Sequence, residues 1–120
     1  RGLPPRGART LVLGVAYKPD VDDTRESPAL AILDLLRDAG ARLAYHDPFV
    51  PVLGTFRRYR FDLRSLPLTP PALRRHDAVV VVTDHSAFDP AFIVRHSRLV
   101  VDTRNLTRSV RSGREKIVQA

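Results

Sequence analysis

The sequence contains no cysteine, methionine or tryptophan, and only two of its 20 basic residues are lysines. Without cysteine, the chain cannot form a disulfide, a thiolate metal site or a cysteine nucleophile. Because an initiator methionine is lacking, we expect these 120 residues to be a piece of a longer protein. No apolar run approaches the roughly 20 residues of a membrane-spanning helix, and no apolar core follows the N-terminal arginines as in a signal peptide. The lack of a membrane-spanning run and of a signal peptide predicts a cytoplasmic protein without membrane association, whereas the lack of cysteine says little about the compartment.

The basic residues give the chain a net charge of +7. Such a charge favours an anionic partner, for example a nucleotide, a phosphate group, a nucleic acid or an acidic domain. A solvated surface on which arginine is simply the usual basic residue explains the same balance. Charge alone therefore leaves both interpretations open.

Apolar runs and helical periods alternate along the chain. Strands are predicted at 10–16, 42–48, 59–63, 78–83, 98–102 and 116–119. Helices are predicted at 27–39, 70–77 and 89–97. Ser27 and Asp89 are suitable N-caps, and each is followed by a proline at the first helical position. The pattern predicts an α/β fold over 10–120: a Rossmann-like, three-layer domain with a mainly parallel, twisted sheet flanked by helices. Residues 1–9 are predicted to be a linker or flexible arm.

Polar residues follow each of the buried strands. In an open parallel sheet, ligands bind beyond the carboxyl ends of the strands. The predicted ends carry Tyr17-Lys18, His46-Asp47, Thr83-Asp84-His85 and Asp102-Thr103-Arg104. Lys18 and Arg104 on one edge would suit an anion, as a point charge and a planar fork respectively. The alternative is that polar residues merely begin where each strand leaves the core.

Other possible motifs are weaker. Asp20, Asp22 and Asp23 could ligate a hard cation, but their spacing does not fit a calcium loop, and turn or capping roles are favoured. The histidines show no ligand spacing, so no metal site is predicted. The neighbours at 84–86 cannot adopt the geometry of a catalytic triad. The G-x-G-x-x-G fingerprint of a dinucleotide site is absent from the sequence.

Four segments together carry a family resemblance. They read LGVAYKPDVDDTRESPALAILDLL, GARLAYHDP, DAVVVVTDHSAF and LVVDTRN, in that order along the chain. Over about residues 10–107 they resemble the C-terminal domain of the UDP-glucose/GDP-mannose dehydrogenase family. The KPDVDDTRESP block is the most specific of them.

The resemblance implies an NAD-dependent enzyme that oxidises the C6 alcohol of a nucleotide sugar twice, to a uronic acid. In this family an N-terminal Rossmann domain binds NAD, a central helical region carries the cysteine nucleophile and forms a homodimer, and the C-terminal domain helps to bind the nucleotide sugar. By this analogy Tyr17, Lys18 and Arg104 contact the substrate, and Arg25 reaches NAD across the interdomain cleft. The segments YKPDVDDTRESP, HDP and DTRN most resemble the branch acting on UDP-N-acetylhexosamines, with UDP-glucose as the next choice and GDP-mannose as the third.

The absent fingerprint and the absent cysteine limit what this chain can do. We expect the NAD-binding and central domains to lie outside it, so that it holds no catalytic residue and is inactive alone. Two rival functions stay open: a stand-alone nucleotide-binding module, and nucleic-acid binding through the arginines and aromatics of residues 56–64. A further possibility is that the basic surface docks against the missing domains.

Overall fold

The computed structural model describes residues 7–20, 23–24, 27–55 and 58–120. In chain order the elements are β1 (Arg9–Leu13), α1 (Pro28–Asp38), β2 (Arg42–His46), β3 (Val52–Thr55), β4 (Arg60–Arg64), α2 (Pro70–Arg74), β5 (Ala78–Val81), α3 (Pro90–His96), β6 (Val100–Asp102), a 3-10 helix (Arg114–Lys116) and β7 (Ile117–Gln119). Among the described residues, no helix is long and apolar enough to cross a membrane.

Five strands form one sheet in the order β2-β1-β5-β6-β7, and every neighbouring pair is parallel. This arrangement confirms the predicted α/β fold with a parallel sheet. The order reverses direction between β1 and β5, which makes the carboxyl ends of these two strands the topological switch point. Strands β3 and β4 form a separate antiparallel hairpin beside β2.

The apolar side chains of β1 point alternately to the two faces of the sheet. Val12 packs in a cluster with residues of α1 and the β3–β4 hairpin, including Leu33 and Phe61. Leu11 and Leu13 lie in a second cluster, which includes residues of α2 and α3. The sheet is therefore covered on both faces, as continuous apolar strands require.

Local sequence signals set the helix starts where they were predicted, whereas α2 ends at Arg74 rather than at residue 77. Ser27 caps α1 by accepting a hydrogen bond from the Ala29 N–H, and Pro28 occupies the first turn. Asp89 caps α3 in the same way through the Phe92 N–H. Gly40 follows α1 with φ +93°, the left-handed conformation that ends a helix.

The strand predictions need corrections. Strands β2 and β5 end at His46 and Val81, each two residues before the predicted end, and β6 begins at Val100 rather than at residue 98. The first strand ends at Leu13 rather than at residue 16, because Gly14 takes φ +85° and its backbone passes directly over Thr83. The strand β3 lies in a stretch that shows no clear period, and the pairing register shifts between Leu53 and Thr55. Of the predicted linker or arm, residues 1–6 lie outside the described residues. The Gly7 N–H donates to the Gly40 carbonyl at 2.7 Å, and Arg9 is the first residue of β1.

Candidate functional site

The candidate site lies at the carboxyl edge of the sheet, where β1, β5 and β6 end side by side. Tyr17 and Lys18 lie on the loop after β1, and both are exposed, Tyr17 at 54%. Arg104 lies two residues beyond β6. With β5 between them, β1 and β6 end about 10 Å apart, because neighbouring strands are about 4.8 Å apart. Arg25, the residue predicted to reach NAD, lies outside the described residues.

Arg104 forms an ion pair with an acidic residue in the loop that follows the neighbouring strand, β5. Its Nε lies 3.4 Å from Oδ1 of Asp84, which follows β5. Since the guanidinium side chain is 47% exposed, this ion pair is weak in energy. The contact nevertheless occupies the Nε side of the guanidinium, which leaves its two terminal nitrogens as further donors.

Asp102 orders the turn that presents Arg104. Its buried carboxylate accepts hydrogen bonds from the backbone N–H groups of Arg104, Leu106 and Thr107 and from the Thr107 hydroxyl. Burial raises the pKa of Asp102, but the hydrogen bonds from Thr107, Arg104 and Leu106 outweigh it and lower the pKa below its usual value. The Arg104 backbone is thus fixed by a charged group that stays ionised.

A second buried carboxylate, Asp47, anchors the start of the loop after β1. Its Oδ2 accepts from the N–H groups of Val15 and Ala16, at 2.8 and 3.2 Å. The same oxygen lies 2.8 Å from Nε2 of His85, and both side chains are fully buried. Asp47 follows β2 and His85 follows β5, so this pair bridges over the carboxyl end of β1.

The hydrogen bonds of His85 define its tautomer. Its Nδ1 accepts from the Asp20 N–H at 2.8 Å, so the ring proton of the neutral form sits on Nε2 and is donated to Asp47. Asp20 has φ +64°, and its carboxylate accepts from the N–H and the hydroxyl of Ser86. These bonds from Ser86 lower the pKa of Asp20. Asp20 lies in a turn, but its carboxylate bonds to Ser86, 66 positions away, rather than to its own neighbouring backbone. Asp22 lies outside the described residues.

Sequence reasoning placed polar residues at these strand ends but did not connect them. Thr83, Asp47 and His85 were noted only as residues that follow buried strands. The structure shows that Asp47 pairs with His85 across 38 positions, and that Thr83 Oγ1 donates to the Ala16 carbonyl at 2.8 Å. The only signal in the sequence was that Asp47 and His85 each follow a predicted strand.

This edge does not fit the pyrophosphate of a dinucleotide in the usual Rossmann manner. That site needs glycines in the first strand-to-helix turn and an open helix N-terminus close behind it. Here Gly14 is the only glycine between β1 and α1, and Ser27 already caps the helix. The Asp47–His85 pair also lies across the switch point. NAD is therefore not expected in the crevice of this domain itself.

The burial of the aromatic side chains in and before β4 tests the alternative that this segment binds nucleic acid. Phe61 is buried and Tyr59 packs against the same apolar cluster, while Arg58 and Arg60 are exposed. The Arg37 guanidinium lies 4.8 Å above the Phe61 ring. Phe61 faces the core and Tyr59 packs against it while half-buried, which is the pattern of an amphipathic strand rather than of an exposed base-stacking surface. Phe56 and Arg57 lie outside the described residues.

Comparison with known proteins agrees with this geometry. The sequence model of the UDP-glucose/GDP-mannose dehydrogenase family, UDP binding domain, matches residues 11–109. Over 108 residues the chain is 34% identical to a UDP-glucose 6-dehydrogenase of Rhizobium meliloti, covering 86% of this chain and 24% of that protein. It is 31% identical over 110 residues to a UDP-N-acetyl-D-mannosamine dehydrogenase of Pyrococcus horikoshii, covering 87% and 23%.

A solved structure shares the fold as well. The crystal structure of an NDP-N-acetyl-D-galactosaminuronic acid dehydrogenase from Methanosarcina mazei superposes with a TM-score of 0.74 at 25% identity, covering 99% of this chain and 25% of that one. The chain thus spans about a quarter of the length of the relatives it matches. On the family match and the shared fold, the chain belongs to the UDP-glucose/GDP-mannose dehydrogenase family and corresponds to its UDP binding domain.

Proposed function

We propose that this chain binds the UDP portion of a nucleotide sugar, as the C-terminal domain of an NAD-dependent 6-dehydrogenase that makes a uronic acid. The observation that carries the proposal is the match to the UDP binding domain over residues 11–109. Residues 10–120 form the binding domain, and NAD is bound mainly by a domain outside this chain. The complete enzyme works in the cytoplasm as a homodimer.

The carboxyl edge supplies the binding groups. Lys18 and Arg104 donate to the diphosphate, because both are exposed cations on the edge where three parallel strands end. Tyr17, exposed beside Lys18, contacts the nucleotide sugar. Arg25 approaches NAD from this side of the interdomain cleft. None of these residues performs chemistry on the sugar.

The sugar itself is the finer part of the proposal. The relatives act on UDP-glucose or on UDP-N-acetyl-D-mannosamine, as their names state. The feature that they share is UDP, so the UDP portion is the part of the ligand that we assign to this chain. Among the sugars we favour a UDP-N-acetylhexosamine, because of the DTRN segment at residues 102–105.

The proposal is tested by titrating the ¹⁵N-labelled chain with UDP, UMP, uridine and GDP and following the backbone amides by NMR. We expect saturable shifts of residues at the carboxyl edge, with UDP the tightest ligand. Lys18→Ala and Arg104→Ala should each weaken UDP binding about tenfold or more, since each removes a hydrogen bond to a charged group. Neither substitution should change the response to uridine, which has no phosphate.

Arg98→Ala is the matched control. Arg98 precedes β6, at the opposite end of the strand from Arg104, and its Nη1 lies 3.7 Å from Oδ1 of Asp77. The variant loses the same charge but far from the carboxyl edge, where salt screens its effect, so its UDP affinity should stay within about twofold of the wild type. The proposal is wrong if UDP causes no shifts, or if Arg98→Ala weakens binding as much as Arg104→Ala.

A further inference from the structure

Residues 83–86, which begin two positions after the last residue of β5, contact both loops that carry the proposed phosphate-binding residues. Their burial alternates: Thr83 and His85 are buried, Asp84 is half-buried and Ser86 is exposed. As neighbours in sequence they cannot form a catalytic triad, and the proposed function gives them no role. Their contacts nevertheless place them between the loop of Lys18 and the turn of Arg104.

On one side, the 83–86 segment fixes the chain before and after Lys18. Thr83 Oγ1 donates to the carbonyl of Ala16, two residues before Lys18, at 2.8 Å. His85 Nδ1 accepts from the N–H of Asp20, two residues after Lys18, at 2.8 Å. The exposed loop that carries Lys18 is therefore hydrogen-bonded on both sides of this residue to the segment 83–86.

On the other side, the same segment reaches the second cation. Asp84 Oδ1 accepts from Arg104 Nε at 3.4 Å. His85 has three further contacts. The centroid of its ring lies 5.0 Å from that of Phe49 and 5.4 Å from that of Phe88, and its Nε2 is hydrogen-bonded to Asp47. The segment is thus rigidly held while it contacts both neighbours.

We propose that the 83–86 segment is a positioning element that sets the distance between Lys18 and Arg104 for a diphosphate, with His85 as its principal residue. The proposal rests on the proposed function and extends it to residues that do not touch the ligand. A loop already ordered before binding loses less conformational freedom when the nucleotide arrives. His85 therefore acts on affinity through Lys18.

The competing explanation is that His85 only stabilises the fold, as a buried polar side chain whose two ring nitrogens are both bonded. Two neutral substitutions separate these roles. His85→Asn retains an oxygen near the position of Nδ1, which can accept from Asp20. His85→Gln retains an amide near the position of Nε2, which can donate to Asp47, but cannot reach both partners. Each variant therefore keeps one of the two hydrogen bonds that the His85 ring makes.

The test combines ¹⁵N relaxation of the Tyr17 and Lys18 amides, measured without ligand, with UDP affinity from NMR titration. For His85→Gln we expect increased motion at both amides and UDP binding weakened about three- to tenfold, the range for immobilising one flexible side chain on binding. For His85→Asn we expect amides as rigid as in the wild type and UDP affinity within about twofold of it. Urea unfolding of both variants reports any difference in overall stability.

His76→Asn is the control for loss of a buried histidine. His76 precedes β5, at the other end of the strand, and its Nδ1 bonds to the Ala72 carbonyl at 2.6 Å. It should lower stability without changing UDP affinity or the motion of the loop. If His85→Gln leaves both the amides and the UDP affinity unchanged, or if both His85 variants weaken binding only in proportion to lost stability, the positioning role is overturned. Failure of the wild type to bind UDP would instead contradict the proposed function.

Discussion

At the scale of single residues, Gly14 allows the loop of Lys18 to leave β1 so close to β5. Its φ of +85° lies in the left-handed region, and an added Cβ would lie 2.5 Å from the Thr83 Cβ and 2.6 Å from the Thr83 carbonyl oxygen. Two of the atoms that it would meet belong to backbone, which cannot rotate away. Any side chain at position 14 must therefore strain the backbone and push β1 and β5 apart.

We expect Gly14→Ala to lower the free energy of unfolding by about 2–5 kcal/mol, the sum of left-handed strain and overpacking. Urea denaturation followed by circular dichroism measures the loss. Gly54→Ala is the matched control, because Gly54 lies on the exposed strand β3 with φ outside the left-handed range and no atom within 4 Å of its added Cβ. It should change stability by less than about 1 kcal/mol. Equal losses in the two variants would refute the close contact with Thr83.

The sequence predicts the position of some residues of the site but not the contacts of others. Lys18 and Arg104 were placed on one edge, because each follows a buried strand and parallel strands end together. The Asp47–His85 bond could not be predicted in this way, because its partners are 38 positions apart and no local pattern links them. Only the register of the folded sheet brings the two side chains together.

At the scale of elements, helix starts were predicted more accurately than strands. The N-caps of α1 and α3 lie where Ser27 and Asp89 indicated, because capping is a contact between residues only two or three positions apart. Strand ends depend on partners elsewhere in the chain. The end of β1 is set by Thr83, and β3 exists because it pairs with β4.

The turn after β6 is stabilised by hydrogen bonds to the charged carboxylate of Asp102, so its stability should depend on pH. Asp102 has a pKa below its usual value in the folded chain, whereas the unfolded chain has the ordinary value of about 3.9. The unfolded state therefore binds more protons between these two values. Ionised Asp102 contributes stability above about pH 4, and that contribution is lost as pH falls through the lower, folded pKa.

We expect Asp102→Asn to lower the free energy of unfolding by about 1–3 kcal/mol at pH 7, since buried donors of the turn lose a charged acceptor. The difference from the wild type should be constant down to about pH 5 and shrink as pH is lowered further towards about pH 2. Urea denaturation at a series of pH values measures this. Asp62→Asn, on the exposed side of β4, is the control and should stay within about 0.5 kcal/mol of the wild type. A difference independent of pH would mean that the charge of Asp102 contributes nothing to the turn.

At the scale of the whole molecule, the net charge of +7 and the chemistry of the site are separate properties. Charge spread over a surface attracts any polyanion, and this attraction weakens steeply with salt. A built site holds its ligand by directed hydrogen bonds as well. Because Tyr59 and Phe61 pack on the core, β4 offers arginines to a nucleic acid without the aromatic faces that grip single strands.

We therefore expect the chain to bind single-stranded DNA weakly and only at low salt. The binding of a fluorescent oligonucleotide, followed by anisotropy, should fall steeply between about 0.05 and 0.2 M salt. Arg58→Ala combined with Arg60→Ala should weaken it further and leave the NMR titration with UDP unchanged. Lys18→Ala should have the opposite selectivity, with a large loss of UDP affinity and little effect on DNA. Displacement of bound oligonucleotide by stoichiometric UDP would mean that both ligands share the carboxyl edge, and the two kinds of binding would then not be separable.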